Sequence, residues 1–475
     1  MEIIGRIEEQ RVLQDCLKAR RPEFLVVYGR RRVGKTFLVR EAFKGKFCFS
    51  FTGYAGVTTA RQLARFHVAL REYGADATGV PSNWYEAFDQ LRRLIEKNTS
   101  GERKLIFLDE MPWMDTKRSE FINALEGFWN GWASGREDTL LVACGSATSW
   151  ITKKLFRNRG GLHNRVTRRI HLKPFTLGEC EEYFKSRSIL YERRQILEAY
   201  MVFGGIPYYL DQFNGSLSTA QNINELCFSP SASLGDEYNA LFASLFERPE
   251  RYIRVVEELA KKAKGLTRSE LLKAADAVEG GTFTKTLDEL EQCGFIRRFS
   301  EFGKRSKGSV YQLMDPFTLF HLRYLRDRSC ETSGKWLNDL QSGQRNAWSG
   351  YAFEVVCLWH VPQIKQSLGI AGVSTGVSAW RSAPSVELGS PGAQIDLVID
   401  RADGLINLCE MKYTARPFVI NKEYAQLLAS RREQFRQETR TDKTLHITII
   451  TAAGLAEKGY RHSAQSVVSL DHLFA

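Results

Sequence analysis

The sequence predicts an α/β multidomain chain, and three observations carry that reading. From residue 23 to 210, short continuous apolar runs alternate with helical patterns, as in a parallel sheet covered by helices. Near 394–412 the pattern becomes strict two-residue alternation, the mark of half-buried strands. The length of 475 residues accommodates about three domains at ~150 residues each. Composition agrees, with 43% hydrophobic and 26% charged residues, which excludes disordered, collagenous and low-complexity classes.

No apolar run approaches the ~18 residues of a membrane-spanning helix. The start, Met1-Glu2-Ile3-Ile4-Gly5-Arg6, lacks the basic-then-apolar order of a secretory leader. The nine cysteines are scattered and never spaced C-x-x-C. They predict reduced, buried thiols rather than a disulfide frame or a zinc site. A cytoplasmic protein without a membrane partner is expected. Its net charge of +12 points to a polyanion.

The elements follow in order. Phe24-Leu25-Val26-Val27-Tyr28 is a first buried strand, and Phe37, Leu38, Ala42 and Phe43 mark the helix after it. Leu105-Ile106-Phe107-Leu108 and Leu140-Leu141-Val142-Ala143-Cys144 are further strands. They are continuous rather than alternating because both faces are covered. From about 174 to 250 the pattern is helical. Tyr252–Lys264 predicts another helix, and Thr267-Arg268-Ser269-Glu270 is a capping box opening a second. Thr282 would cap a third helix, on which Phe283, Leu287 and Leu290 share a face. Phe295–Phe299 and Val310–Leu313 form a hairpin whose tip is Gly303-Lys304-Arg305-Ser306-Lys307-Gly308. A helix around Gly350–His360 precedes the alternating strands. Glu331–Ser342 reads as a linker, and another break falls near 245–250. The expected domains are 1–175, 176–250, 251–330 and 343–475.

Chemistry enters with Gly29-Arg30-Arg31-Arg32-Val33-Gly34-Lys35-Thr36, a full match to G-x-x-x-x-G-K-[ST] between a strand and a helix. Such glycines let backbone N–H groups wrap phosphate oxygens at a helix N-terminus. Lys35 then reaches the β/γ-phosphates and the Thr36 hydroxyl ligates Mg²⁺. The strand Leu105–Leu108 ends in Asp109-Glu110, as a Walker B strand does. Asp109 is expected on Mg²⁺ and Glu110 on the attacking water. No N-K-x-D guanine motif occurs, so ATP is the expected nucleotide.

Together with Ile4-Gly5-Arg6-x-x-Glu9, these stretches resemble the archaeal-type ATPase family, an AAA+/STAND-related group of P-loop ATPases. The resemblance covers residues 1–330. It implies a P-loop NTPase parallel sheet with a helical lid. Ser146, in Cys144-Gly145-Ser146, takes the place of a polar sensor residue. Arg165 takes the place of a γ-phosphate sensor or arginine finger, although the family's preceding Gly is Asn164 here. Gly204-Gly205-Ile206-Pro207 is similar to the family's lid stretch. If Arg165 completes a neighbour's site, a homo-oligomer follows; in cis, none is needed.

Residues 251–315 resemble a winged helix-turn-helix, in which the third helix would enter the DNA major groove and the basic wing would touch phosphates. Asp288, Glu289 and Glu291 on that helix argue against strong base readout. A lid on the ATPase is the other reading. In the last segment, a three-residue link Ala402-Asp403-Gly404 puts Asp396 opposite Glu410 on one face. A two-residue link would separate them. Asp396, Glu410 and Lys412 then resemble the D…(D/E)-x-K core of a restriction-endonuclease-like (PD-(D/E)xK) domain. Glu354 on the preceding helix matches the additional acid such domains use. The resemblance implies Mg²⁺ on Glu354, Asp396 and Glu410, with Lys412 orienting water or offsetting charge on the phosphate. Arg431, Arg432 and Arg436 on the following helix could reach phosphates. A solvent face that happens to carry Asp, Glu and Lys explains the same letters.

The expected function is a Mg²⁺-dependent ATPase coupled to a DNA-binding or DNA-cleaving C-terminal module, with ATP, Mg²⁺ and DNA as its ligands. The alternative is a STAND-like signalling switch with slow turnover, protein partners and an inactive nuclease domain. The charge surplus is local. Residues 1–50 hold 12 basic and 6 acidic side chains, and residues 151–200 hold 12 and 5. Part of it therefore belongs to the nucleotide's phosphates.

Overall fold

A computed structural model describes residues 2–76, 79–98, 102–157, 160–162, 164–303, 309–326, 335–338, 342–382 and 392–475. The chain divides into two compact units, Met1–Pro174 and Phe175–Ala475. Among the described residues no helix is long and apolar enough to cross a membrane.

The first unit runs α1 (Ile7–Lys18), β1 (Glu23–Tyr28), α2 (Lys35–Ala42), β2 (Phe47–Thr52), α3 (Thr59–Glu72), α4 (Trp84–Lys97), β3 (Lys104–Asp109), α5 (Phe121–Gly131), β4 (Thr139–Gly145), α6 (Thr148–Ile151) and β5 (Arg168–His171). Its sheet is parallel, in the order β2-β3-β4-β1-β5. The three strands read from continuous apolar runs are β1, β3 and β4, and every residue of β3 and β4 is buried. β2 and β5 add to them; β5 is short and mostly exposed, Arg168-Arg169-Ile170-His171, so no apolar run announced it. One face is filled by an aromatic core in which Phe24, Phe49, Phe66, Trp84, Phe88, Phe121 and Trp129 are buried. β1 lies between β4 and β5, and the crossover after β1 runs toward β2 while the one after its neighbour β4 runs the opposite way, to β5. Ligands of open α/β sheets bind at such a switch point.

The second unit opens with helices α7 (Leu177–Ser186), α8 (Arg193–Phe203), α9 (Pro207–Leu210), α10 (Thr219–Phe228) and α11 (Glu237–Leu245). Next come α12 (Pro249–Ala260), β6 (Leu266–Thr267), α13 (Arg268–Ala274), α14 (Gly281–Gln292), β7 (Ile296–Phe299) and β8 (Val310–Leu313). The three strands form an antiparallel sheet in the order β6-β8-β7. Thr267 and Glu270 make the capping box of α13. Thr282, expected as a cap, lies inside α14 instead, because the helix starts two residues earlier, after Gly280. Residues 304–308, at the hairpin tip, lie outside the described residues.

Helices α15 (Pro316–Phe320) and α16 (Lys335–Asn338) lead to α17 (Gly343–Trp359), which begins well before the expected Gly350. The expected linker 331–342 lies partly outside the described residues, but its described part is not a free connection. Trp336 is buried, with the Arg345 guanidinium 3.7 Å from its ring centroid and Phe228 stacked at 6.2 Å. A Gly/Ser-rich composition concealed one large anchoring side chain.

The last part comprises α18 (Val361–Ser367), β9 (Thr375–Ser382), β10 (Ala393–Arg401), β11 (Leu405–Lys412), β12 (Phe418–Ile420), α19 (Lys422–Thr439), β13 (Thr444–Thr451), β14 (Leu455–Gly459) and β15 (Ser466–Ser469). Five strands form a mixed sheet, β15-β13-β11-β10-β9. β10 and β11 pair antiparallel with Leu397 opposite Cys409 and Asp400 opposite Ile406. That is the register of the three-residue link, with Gly404 at φ +85°.

Candidate functional site

The phosphate loop joins β1 to α2. Gly29 has φ +141°, and a Cβ there would lie 2.3 Å from the Leu172 carbonyl oxygen. Only glycine fits. Gly34 (φ 90°) and Arg32 (φ 72°) are also left-handed, the kind of backbone whose successive N–H groups make an anion-binding concavity. Lys35 is buried, and its ammonium donates to the Arg30 carbonyl at 2.8 Å. Arg31 is exposed and Val33 is buried.

The Walker B acids meet the loop across β4. The Thr36 hydroxyl lies 3.0 Å from each Asp109 carboxylate oxygen. Asp109 also accepts the Glu110 N–H at 3.0 Å. Burial pushes the Asp109 carboxyl above its ordinary range, and the neighbouring charge of Glu110 adds to the shift. Beneath it lies the wholly buried Cys144, whose thiol is held well above its ordinary range, first by burial and then by Asp109. Glu110 sits at φ 45°, which turns its side chain off the strand. There it accepts the Ser146 hydroxyl at 3.0 Å and the Ser146 N–H at 3.3 Å. Sequence reading assigned Glu110 and Ser146 separate roles; the fold joins them, and their separation in the chain gave no sign of it.

A buried carboxylate beside a hydroxyl offers hard oxygen donors, the kind Mg²⁺ takes together with water and phosphate oxygens. Thr36 and Asp109 therefore fit that ion. Arg165 is exposed, and its Nε donates to the Gly161 carbonyl at 3.4 Å within its own loop. Asn164 before it has φ 56°, a conformation glycine takes freely and asparagine tolerates. The departure from the family's Gly is thus conformationally conservative.

In the second unit, Glu354 and Asp396 line one cavity of about 290 Å³. Glu354 is pushed up to about 8, first by burial and then by the charge of Asp396, while Lys412 draws it back. Asp396 accepts from the Gln394 amide. Glu410 faces α19: it accepts the Tyr424 hydroxyl at 3.0 Å and pairs with Arg431 at 2.5 Å. Lys412 stands 3.9 Å from Glu410 and 4.9 Å from the Tyr424 ring centroid. Arg431 is thus placed on an acid of the core rather than free for phosphate, and Arg436 donates to the Thr441 carbonyl. Among the described residues no three His, Cys, Asp or Glu side chains gather closely enough to cage an ion. Mg²⁺ does not require a cage, since one or two carboxylates with water and phosphate suffice. Glu354 and Asp396 meet that lesser condition.

The comparisons with known proteins cover the nucleotide-binding part and extend beyond it. An uncharacterized protein of Methanocaldococcus jannaschii is 24% identical over 357 residues, 74% of this chain and 76% of that relative. The Walker-type ATPase of Pyrococcus abyssi matches with a TM-score of 0.50 at 17% identity, over 68% of this chain and 96% of its own. At that identity the likeness speaks for the fold alone. The ORC2 protein of Aeropyrum pernix matches at 14% identity and a TM-score of 0.45, over 71% and 95% of the two chains. Residues 4–213 match the family described as an ATPase domain predominantly from Archaea.

Proposed function

We propose that the chain hydrolyses ATP with Mg²⁺ and couples the nucleotide state to a DNA-acting C-terminal module. The observation that carries the first half is the junction of Thr36 with Asp109 at 3.0 Å, beside Glu110 held by Ser146. The loop N–H groups bind the phosphates, and Lys35 exchanges the Arg30 carbonyl for a phosphate oxygen. Thr36 and Asp109 would hold Mg²⁺, which supplies charge neutralisation at the β/γ-phosphates. Glu110 orients the attacking water, and Ser146 fixes the carboxylate that does so. Arg165 serves as a charge sensor only if its loop or a neighbouring copy brings it to the γ-phosphate.

DNA as partner and the nuclease-like chemistry rest on Asp396, Glu354, Glu410 and Lys412. Their support is the register that puts Leu397, next to Asp396, opposite Cys409, next to Glu410, and the cavity that Asp396 shares with Glu354. The three helices and three-stranded sheet between 249 and 313 have the element order of a winged helix, which supports a nucleic-acid or lid role. One observation favours binding without cutting: Arg431 already neutralises Glu410. The experiment is ATP turnover by wild type, Lys35→Ala and Glu110→Gln, alongside plasmid nicking in Mg²⁺ or Mn²⁺ by wild type and Asp396→Ala. Equal turnover in all three proteins ends the ATPase reading. Nicking that ignores Asp396 ends the nuclease reading, and nucleotide that co-purifies without DNA affinity supports the signalling switch.

A further inference from the structure

The cavity that holds Glu354 and Asp396 is not built by the C-terminal sheet alone. Ala263 and Lys264, in the turn between α12 and β6, line it as well. That turn is rigidly defined. Gly265 has φ +78°, and a Cβ there would lie 2.4 Å from the Tyr311 carbonyl oxygen. Its N–H donates to the Lys262 carbonyl at 2.7 Å. Gln312 donates to the Ala263 carbonyl at 2.8 Å and accepts the Arg297 Nε at 2.8 Å. Arg297 in turn lies within electrostatic reach of Asp396 and Glu354. A chain of contacts therefore runs from the backbone carrying Lys264 to those acids. α17, which bears Glu354, is tied to the same module. The Tyr351 hydroxyl donates to the Leu313 carbonyl at 3.3 Å and Trp359 Nε1 to the Met314 carbonyl at 3.0 Å.

Lys264 itself is exposed at the rim, within range of Glu354's charge. Among the described residues it makes no close ion pair, so its ammonium donors are available to a ligand. Two carboxylates alone repel a phosphodiester. A cation in the same lining offsets that repulsion and gives the strand a second point of attachment. We infer that Lys264, outside the nuclease-like domain, binds a phosphate of the DNA strand that enters the cavity beside Asp396 and Glu354. The inference rests on the nuclease-like reading of those acids.

The test uses the full chain and a labelled DNA duplex in Ca²⁺, with affinity measured by anisotropy across a series of NaCl concentrations. Lys264→Ala should weaken binding roughly threefold or more and reduce the salt slope by about 0.9, the share of one phosphate contact. Lys264→Arg should restore both. Wild-type affinity and slope in Lys264→Ala overturn the inference, as does a wild-type chain that does not bind DNA. Nicking in Mn²⁺ by wild type and Asp396→Ala is run alongside. If nicking fails or ignores Asp396 while the Lys264 slope change is present, the phosphate contact stands and the cleavage reading falls.

Discussion

Gly29 shows how little latitude the phosphate loop has. With φ +141° and the Leu172 carbonyl oxygen 2.3 Å from an added Cβ, Gly29→Ala must move either the loop or the strand end. Destabilisation of about 1–3 kcal/mol is expected, measured as a lower urea midpoint, with nucleotide affinity lost in parallel. The role proposed for Glu110, orienting the attacking water, is tested at this scale. Its carboxylate is half-buried and held by Ser146, and glutamine preserves the shape and the acceptor. Glu110→Gln should therefore keep ATP binding while turnover falls by about 10²–10⁴-fold, the usual worth of a positioned base. Lys35→Ala should lose binding as well. Titration calorimetry and phosphate release separate the two.

Among elements, the contacts of α8 and α17 carry the second unit. Arg345 on α17 is buried against Trp336 and pairs with Glu198 on α8. Burial raises the Glu198 carboxyl above its ordinary range, and Arg345 opposes the shift. Glu198→Ala leaves the guanidinium buried without its acid. A loss of about 3–5 kcal/mol is expected, read from chemical denaturation. The start of α7 depends on His360, whose Nε2 accepts the Leu177 N–H at 3.0 Å while Nδ1 donates to the Val356 carbonyl at 2.8 Å. Burial holds this imidazole down to about 4, from 6.5. The unfolded chain takes up the proton first, so stability is full above about pH 6.5 and drains as the pH falls toward 4. One such group accounts for up to about 3 kcal/mol. His321 is shifted the same way by burial. The urea midpoint should fall over this window, and His360→Gln should flatten the fall while lowering stability at neutral pH.

For the whole molecule, the acids of the nucleotide site and of the C-terminal cavity sit in separate compact units. Their chemistries should separate by mutation. Where metal-dependent nicking is present, Asp396→Ala should abolish it, and ATP turnover should stay within about twofold of wild type, since a surface-cavity change costs little elsewhere. A proportional loss of both activities would mean global unfolding instead. The surplus of positive charge behaves consistently with this division. It concentrates in residues 1–50 and 151–200, around the phosphate loop and the segment leading to β5, rather than in the cavity-bearing domain.

What the sequence determined by itself was local or periodic. The eight residues 29–36 form one continuous turn between a strand and a helix, so their role is written in their spacing. Asp109-Glu110 ends a fully apolar strand, and the hairpin parity at Ala402-Asp403-Gly404 sets the register that brings Leu397 opposite Cys409. A side-chain period of two makes such parity legible without coordinates. Tertiary structure alone decided the strand order, the grip of Ser146 on Glu110, and the burial of Trp336 inside an apparent linker. It also set Arg431 on Glu410 and Lys264 in the lining of the cavity that holds Asp396. These contacts join residues far apart in the chain. No local propensity encodes them, because they arise where packed elements bring unrelated segments to one place.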